Sequence, residues 1–170
     1  AAREAAKERE LGGWVFTLDA PSYGPFMMYS TQRKLREDLY MARNTLCIKD
    51  NDTNNLELCK RLINLRREMA QLLGYDTFAD YVMKHRMATT VENVYKLLND
   101  LIEAYKPTAV KEREEVEEMA REMEGDGFKM EPWDVAYYGH QLKMRKYDLD
   151  PEMLRPYLEL GNVIKGVFGL

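Results

Sequence analysis

The sequence predicts an all-α fold in which at most one short strand, near residues 14–18, accompanies the helices. From the middle of the chain onward, apolar residues recur every three or four positions, which is the period of an amphipathic helix. Glycine, proline and helix-capping residues separate these periodic stretches. Only residues 14–18 combine β-branched and aromatic side chains after a glycine pair, as strands do. We therefore expect about seven helices, and any pairing partner of the strand would lie outside this chain.

The first predicted helix covers residues 1–11, where acidic and basic side chains alternate among alanines. The best-defined helix runs from near Asn54, whose side chain can cap it, to Gly74, which suits the left-handed residue after a helix. Glu57 stands three residues after Asn54, as in a capping box. The apolar stripe of this helix is expected to face a partner and consists of Leu58, Leu62, Leu65, Met69 and Leu72.

Thr77 is predicted to open a short helix over residues 78–87, and Thr90 to cap the next one. That next helix carries a second stripe at the same spacing, formed by Val94, Leu98, Leu101 and Tyr105. Pro107 is expected to kink or break it, because proline lacks the backbone N–H and clashes with the preceding turn. A highly charged helix follows the proline and ends at Gly125.

Glycine, aspartate and proline between residues 125 and 132 predict a loop, and residues 133–147 again have a helical pattern. Asp150, Pro151 and Glu152 form a helix-start signature, with a capping oxygen, a proline in the first turn and a carboxylate near the positive end of the helix. The chain is helical at its first residues and apolar at its last, so we expect it to be a segment of a longer protein.

Composition excludes several classes of function. The chain of 170 residues has 45% hydrophobic residues and a net charge of -4, which indicates one ordinary globular domain without the basic patch of a nucleic-acid-binding protein. No apolar run reaches the roughly 20 residues that a membrane span needs. Cys47 and Cys59 are twelve positions apart, so they form neither a disulfide framework nor a CxxC pair, and we expect both to be reduced and partly buried.

The residues that usually carry chemistry do not form a known motif. His85 is followed by Arg86 and has Thr89 four positions on, so the HExxH zinc pattern is absent there, and His140 fails in the same way. The glutamates between residues 114 and 122 alternate with lysine and arginine, as on a solvated helix face. The sequence has neither a glycine-rich phosphate loop nor a Gly-x-Ser-x-Gly nucleophile elbow.

Eleven tyrosines are an unusual number for this length, and several lie next to proline or tryptophan. Amphipathic rings of this kind line ligand clefts, where the hydroxyl can bind a ligand. They equally serve in packing, with their hydroxyls satisfied inside the fold. Both interpretations stay open at this level.

Three long strings resemble, in order and spacing, the middle of the thimet oligopeptidase and peptidyl-dipeptidase family of zinc metallopeptidases, and most closely its bacterial peptidyl-dipeptidase branch. They are GWVFTLDAPSYGPFMMYSTQRKLREDLYMARNT (13–45), LRREMAQLLGYDTFADYVMKHRMA (65–88) and EPWDVAYYGHQLKMRKYDLDPEMLRPYLEL (131–160). Two positions depart from the family pattern: Leu158 replaces a more usual aromatic residue, and Gly139–His140 replaces a small residue followed by a charged one.

The resemblance implies a large, almost wholly helical peptidase with a deep channel between two lobes. In that family the HExxH zinc helix and the catalytic residues lie C-terminal to the matched region, so no catalytic residue and no metal ligand is carried onto this chain. Zinc would belong to the parent protein and not to residues 1–170. These residues would form one helical segment of scaffold and channel wall, with Tyr137, Tyr138 and His140 as candidate channel residues.

The parent is accordingly expected to release C-terminal dipeptides from oligopeptides, while this segment alone would be inactive. Its expected partners are oligopeptide substrates and the rest of the same polypeptide, with neither nucleic acid nor membrane, and exposed apolar surface could drive an artefactual dimer. The expected compartment is the cytoplasm, with the periplasm left open. The alternatives are a non-catalytic helical module that binds a peptide or protein, and a self-contained metal enzyme built on His85 and His140.

Overall fold

The computed structural model describes residues 2–148 and 151–169, which contain eight α-helices, one 3-10 helix and no strand. This confirms the all-α class. The α-helices are α1 Ala2–Glu8, α2 Ala20–Tyr29, α3 Arg33–Asn44, α4 Leu56–Leu72, α5 Phe78–Met83, α6 Val91–Glu124, α7 Val135–Tyr147 and α8 Leu160–Phe168, and the 3-10 helix covers Pro151–Tyr157. None of these helices is long and apolar enough to cross a membrane.

The chain divides into two compact units. Unit 1 consists of residues 1–39 and 114–170, and unit 2 is the continuous stretch 40–113. The first unit therefore depends on contacts between distant parts of the sequence, whereas the second depends on local ones.

The core of unit 1 lies where α2 packs against α7. Met27 of α2 and Tyr138 of α7 are buried there, and so are two charged side chains, Arg36 and Asp134. Near the C-terminal end of α7, Arg145 is paired with Glu122, and Lys146 Nζ lies 2.6 Å from a carboxylate oxygen of Glu115. Unit 1 is thus held by a small apolar core, a buried ionic cluster and two ion pairs along α7.

The strand predicted over residues 14–18 is absent from the described residues, although the segment is extended. The N–H of Val15 donates to the carbonyl of Ala2 at 3.0 Å, and the N–H of Thr17 donates to the hydroxyl of Ser22 at 2.9 Å. The backbone is therefore bonded to the starts of α1 and α2. Propensity for the extended state alone does not supply the neighbouring strand that a sheet requires.

In unit 2, α4 and α5 pack together and begin much as predicted. Asn54 accepts a hydrogen bond from the N–H of Leu56 at 3.0 Å, and Gly74 adopts a φ of +81° after the helix. Thr77 and Asp80 form a reciprocal capping box at the start of α5. This helix ends at Met83, earlier than the predicted end near Met87, and continues as turns.

The apolar stripe of α4 has the predicted spacing, but its five side chains are 41–89% exposed. Among the described residues only α5 packs substantially on this helix. The described residues therefore leave this apolar face of α4 largely uncovered.

Pro107 was predicted to kink or break its helix; the break is wrong, because α6 continues through Pro107 from Val91 to Glu124, and the kink stays a prediction. A proline inside a helix removes one hydrogen bond, here the one to the carbonyl of Glu103. Residues 103–107 are all exposed, so water can satisfy that carbonyl, and the remaining turns carry the helix across. The helix ends as predicted, before Gly125 at a φ of +101°.

Helices α2 and α3 were not among the predicted elements, although Asp19 followed by Pro21 is a helix-start signature. Cys47 and Cys59 are both exposed, so the expectation of partial burial is wrong. Cys47 lies in the turns that follow α3, and Cys59 lies in the first turn of α4. The start signature at residues 150–152 includes Asp150, which lies outside the described residues.

Candidate functional site

The three candidate channel residues all lie on α7, but the structure places them differently. Tyr137 and His140 are half-buried and, three positions apart, share one face of the helix. Tyr138 is only 1% exposed and points into the core of unit 1. Tyr137 thus shares a helix face with His140, and its ring also stands edge-on to the ring of Tyr138, with 5.1 Å between the centroids.

His140 packs against the end of α2. Its ring lies edge-on to the ring of Tyr29, the last residue of that helix, with 4.8 Å between the ring centroids. Such an edge-to-face pair favours one relative orientation of the two rings. This contact holds the His140 side of α7 against α2.

Tyr138 packs inside unit 1 and bonds to other residues of that unit. Its hydroxyl donates to a carboxylate oxygen of Glu124 at 3.0 Å, and its ring stands edge-on to Phe128. Burial raises the pKa of the Tyr138 phenol, and the bond to Glu124 raises it further. The neutral phenol is therefore the form that the fold favours, and a channel role for Tyr138 stays a prediction.

Arg36 is the centre of the polar cluster beneath Tyr137. Its side chain is 1% exposed and donates to three acceptors: the carbonyl of Ser30 at 2.7 Å, the carbonyl of Trp133 at 3.3 Å and Asp134 Oδ1 at 2.8 Å. Its guanidinium carbon lies 4.4 Å from the centroid of the Tyr137 ring. One side chain thus joins the end of α2, the start of α7 and a candidate channel residue.

Asp134 receives a second arginine, Arg33, whose Nη2 lies 2.7 Å from Oδ2 and whose guanidinium rests on the ring of Phe128. The N–H of Glu131 also donates to this carboxylate, at 3.0 Å. Burial by itself raises the pKa of Asp134, but the hydrogen bonds from Arg33 and Arg36 outweigh it, so the pKa lies below the usual 3.8. The buried carboxylate is accordingly ionised and fully paired.

This arrangement suits positioning rather than proton transfer, because no buried side-chain polar atom among the described residues lacks a hydrogen-bond partner. The same part of the chain contains no group of three or more His, Cys, Asp or Glu residues able to hold a metal. His140 belongs to unit 1, whereas His85 lies in unit 2 and packs on Tyr81. Neither histidine therefore belongs, among the described residues, to a group that fits a zinc ion.

Sequence reasoning missed Arg33, Arg36 and Asp134, the residues that organise this site. Arg33 and Arg36 are three positions apart and so share a helix face, but in a charged stretch that spacing is typical of solvated residues. Asp134 stands directly before α7, where a carboxylate is expected as a cap, yet its side chain makes no cap bond. Its partners are about a hundred residues away in the sequence, and no local pattern reports them.

The profile of the family described as peptidase family M3 matches residues 26–170. This chain belongs to peptidase family M3. The M3 chain is 37% identical to the organellar oligopeptidase A of Arabidopsis thaliana over 95% of its own length, and 34% identical to the oligopeptidase A of Escherichia coli over 99%. It is 31% identical to the dipeptidyl carboxypeptidase of E. coli over 98% of its length.

The M3 chain spans only 20–25% of the length of these relatives. The match reaches across both units and includes α7 with the cluster beneath it. The resemblance found in the three sequence strings is therefore confirmed at the level of the family. Relatives with both names, oligopeptidase A and dipeptidyl carboxypeptidase, match at similar identity.

Proposed function

We propose that this M3 chain is a structural segment of a zinc-dependent oligopeptide-cleaving peptidase, in which it forms scaffold and part of the substrate-channel wall. In the parent protein, zinc and the groups that act with it would come from residues outside the 170 described by this sequence. The parent would release dipeptides from the C-termini of oligopeptides. This segment would contribute binding and access, and it would be inactive alone.

One observation carries the proposal: a chain that matches the family over nearly its whole length leaves the apolar stripe of α4 uncovered. Leu58 and Leu65 are more than half exposed, and Leu72 is 89% exposed. Apolar residues at this spacing are typical of a helix face that packs against other helices. The match also accounts for only about a quarter of the relatives' length, which leaves ample polypeptide to cover such faces.

The face of α7 that carries Tyr137 and His140, called the α7 face below, suits an extended peptide. A tyrosine hydroxyl and an imidazole can each donate and accept hydrogen bonds, as the backbone of an unfolded peptide requires. Tyr137 and His140 are half-buried, so each is held in the fold and still has surface that a peptide could reach. A wall of this kind selects by access, because folded proteins cannot present an extended backbone to it.

The proposal is tested with two polypeptides, residues 1–170 and the complete reading frame that carries them, each mixed with an internally quenched oligopeptide. We expect chelator-sensitive cleavage by the complete protein only, with dipeptides identified by mass spectrometry. If the products were internal fragments without dipeptides, the parent would be an endo-oligopeptidase and the proposed release of dipeptides would be wrong. Chelator-sensitive cleavage by residues 1–170 alone would overturn the scaffold role, and peptide binding without hydrolysis by the complete protein would support a binding module instead.

A further inference from the structure

Arg36 lies where three separate pieces of unit 1 meet. It is the fourth residue of α3, it bonds the carbonyl of Ser30 at the end of α2, and it bonds Trp133 and Asp134 immediately before α7. A guanidinium has five N–H donors in a fixed plane. Three acceptors and one stacked ring therefore fix the position of Arg36, and Arg36 in turn fixes the positions of these groups relative to one another.

The same guanidinium lies against the ring of Tyr137, in the first turn of α7. One turn further along, His140 is held by Tyr29 at the end of α2. Arg36 therefore contacts Tyr137, and Tyr29 contacts His140. The end of α2 contributes to both contacts, through the carbonyl of Ser30 and the ring of Tyr29.

We propose that Arg36 is a positioning residue, which sets the rotation of α7 about its axis and so the placement of Tyr137 and His140 toward an oligopeptide substrate. The inference rests on the proposed function, since it takes this face as channel wall. Arg36 itself is buried and would not touch the peptide. Its effect would be on substrate binding and not on the chemical step.

The experiment uses the complete M3 protein and measures kcat and KM for a quenched oligopeptide with Arg36→Lys and Arg36→Gln. Neither replacement reproduces the planar fork, while Arg33 still pairs with Asp134 in both. We expect KM to rise about fivefold or more with kcat within about twofold of wild type, which is the pattern of lost uniform binding. Arg61→Lys, an exposed arginine on α4, is the matched control and should change neither constant.

Tyr137→Ala and His140→Ala separate this inference from the proposed function. If both raise KM while the Arg36 variants leave it unchanged, the positioning role is overturned and the channel wall stands. If neither changes KM, the α7 face does not meet substrate, and the channel-wall part of the proposed function fails together with the inference. Circular dichroism first establishes which Arg36 variants are folded at the assay temperature. Unfolding of both would make Arg36 a residue of general stability, and a fall in kcat alone would place its effect outside substrate binding; either result would overturn the proposal.

Discussion

Arg36 and Asp134 stand 98 positions apart in the sequence, yet Nη2 of the first lies 2.8 Å from Oδ1 of the second, and both side chains are buried. An ion pair removed from water in this way is stable only while each charge keeps its partners. It therefore joins the α2–α3 region to the start of α7 through a contact that fails if either residue is changed.

Asp134→Asn should lower the free energy of unfolding of the chain by about 3–5 kcal/mol, because it leaves Arg36 as a buried charge without its counter-ion. Urea unfolding followed by circular dichroism measures the change. Asp38→Asn, which removes an exposed partner of Lys34, is the matched control and should have little effect. The triple variant Arg33→Met, Arg36→Met, Asp134→Leu should recover much of the loss, and a further loss in that variant would contradict the electrostatic explanation.

The same pair predicts how stability depends on acid. The pKa of Asp134 is lower in the folded chain than in the unfolded one, so the unfolded chain takes up the proton first as the pH falls. This stabilisation is complete above about pH 4, the ordinary range for an aspartate, and disappears as the pH drops through the folded-state pKa. Unfolding free energies at a series of pH values should therefore decline more steeply below about pH 4 in the wild type than in Asp134→Asn. If the unfolding free energies of the wild type and of Asp134→Asn fell equally steeply below about pH 4, this explanation of the acid dependence would be disproved.

Tyr138 predicts how the stability of the chain changes at alkaline pH. Its pKa is raised in the fold, so its contribution is fully present below the unfolded-state pKa of about 10 and is lost as the pH rises beyond that value. Tyr138→Phe should cost about 1 kcal/mol at neutral pH, for the lost bond to Glu124, and should flatten the decline of stability above pH 10. Tyr147→Phe, at an exposed position of the same helix, should change neither, and an unaltered alkaline decline in the Tyr138 variant would count against burial as the cause.

Pro107→Ala should stabilise the chain, by up to about 3 kcal/mol, because α6 already continues through this position and alanine restores the missing hydrogen bond. The thermal unfolding midpoint provides the measurement. Pro21→Ala is the control: Pro21 is in the first turn of α2, where a backbone N–H has no partner within the helix in any case. A destabilised Pro107 variant would show that the proline is required by its surroundings.

The apolar side of α8 predicts self-association of the isolated chain. Ile164 and Val167 are exposed on this helix, next to Phe168 at 86% exposure. We expect residues 1–170 to sediment as dimers or larger species, and replacement of Ile164 and Val167 by serine to shift them toward monomer. Lys165→Ser on the same helix should leave the distribution unchanged. A wild-type chain that sediments as a monomer at every concentration would refute the prediction.

The parts of the fold that the sequence predicted are those with local causes. Three local features were predicted, and each depends on residues within a few positions of one another: the start of α4 at Leu56, next to the Asn54 side chain, the capping of α5 by Thr77, and the end of α6 before Gly125. The strand over residues 14–18 was predicted from propensity and failed because pairing requires a second strand. The break at Pro107 failed because one lost hydrogen bond does not outweigh the turns on either side.

The candidate site was predicted only in part. Tyr137 and His140 share a face because they are three positions apart on a helix that the sequence does predict. The burial of Tyr138 and the cluster of Arg33, Arg36 and Asp134 both follow from packing between segments that are far apart in the sequence. Charge patterns near Arg36 are the same for a solvated arginine and a buried one, so only the tertiary structure distinguishes them.

The division of unit 1 into two distant stretches determines the order in which the molecule can fold. When the ribosome has released residues 1–39, Arg33 and Arg36 still lack Asp134, which emerges only after the whole of unit 2. Closing a loop of that length costs about 4 kcal/mol of chain entropy, beyond a length-independent constant. Unit 2, which is continuous, can form its helices and its α4–α5 contact while synthesis is still under way. Unit 1 can fold only after its second stretch has been synthesised, so the core residues of its first stretch stay exposed during translation.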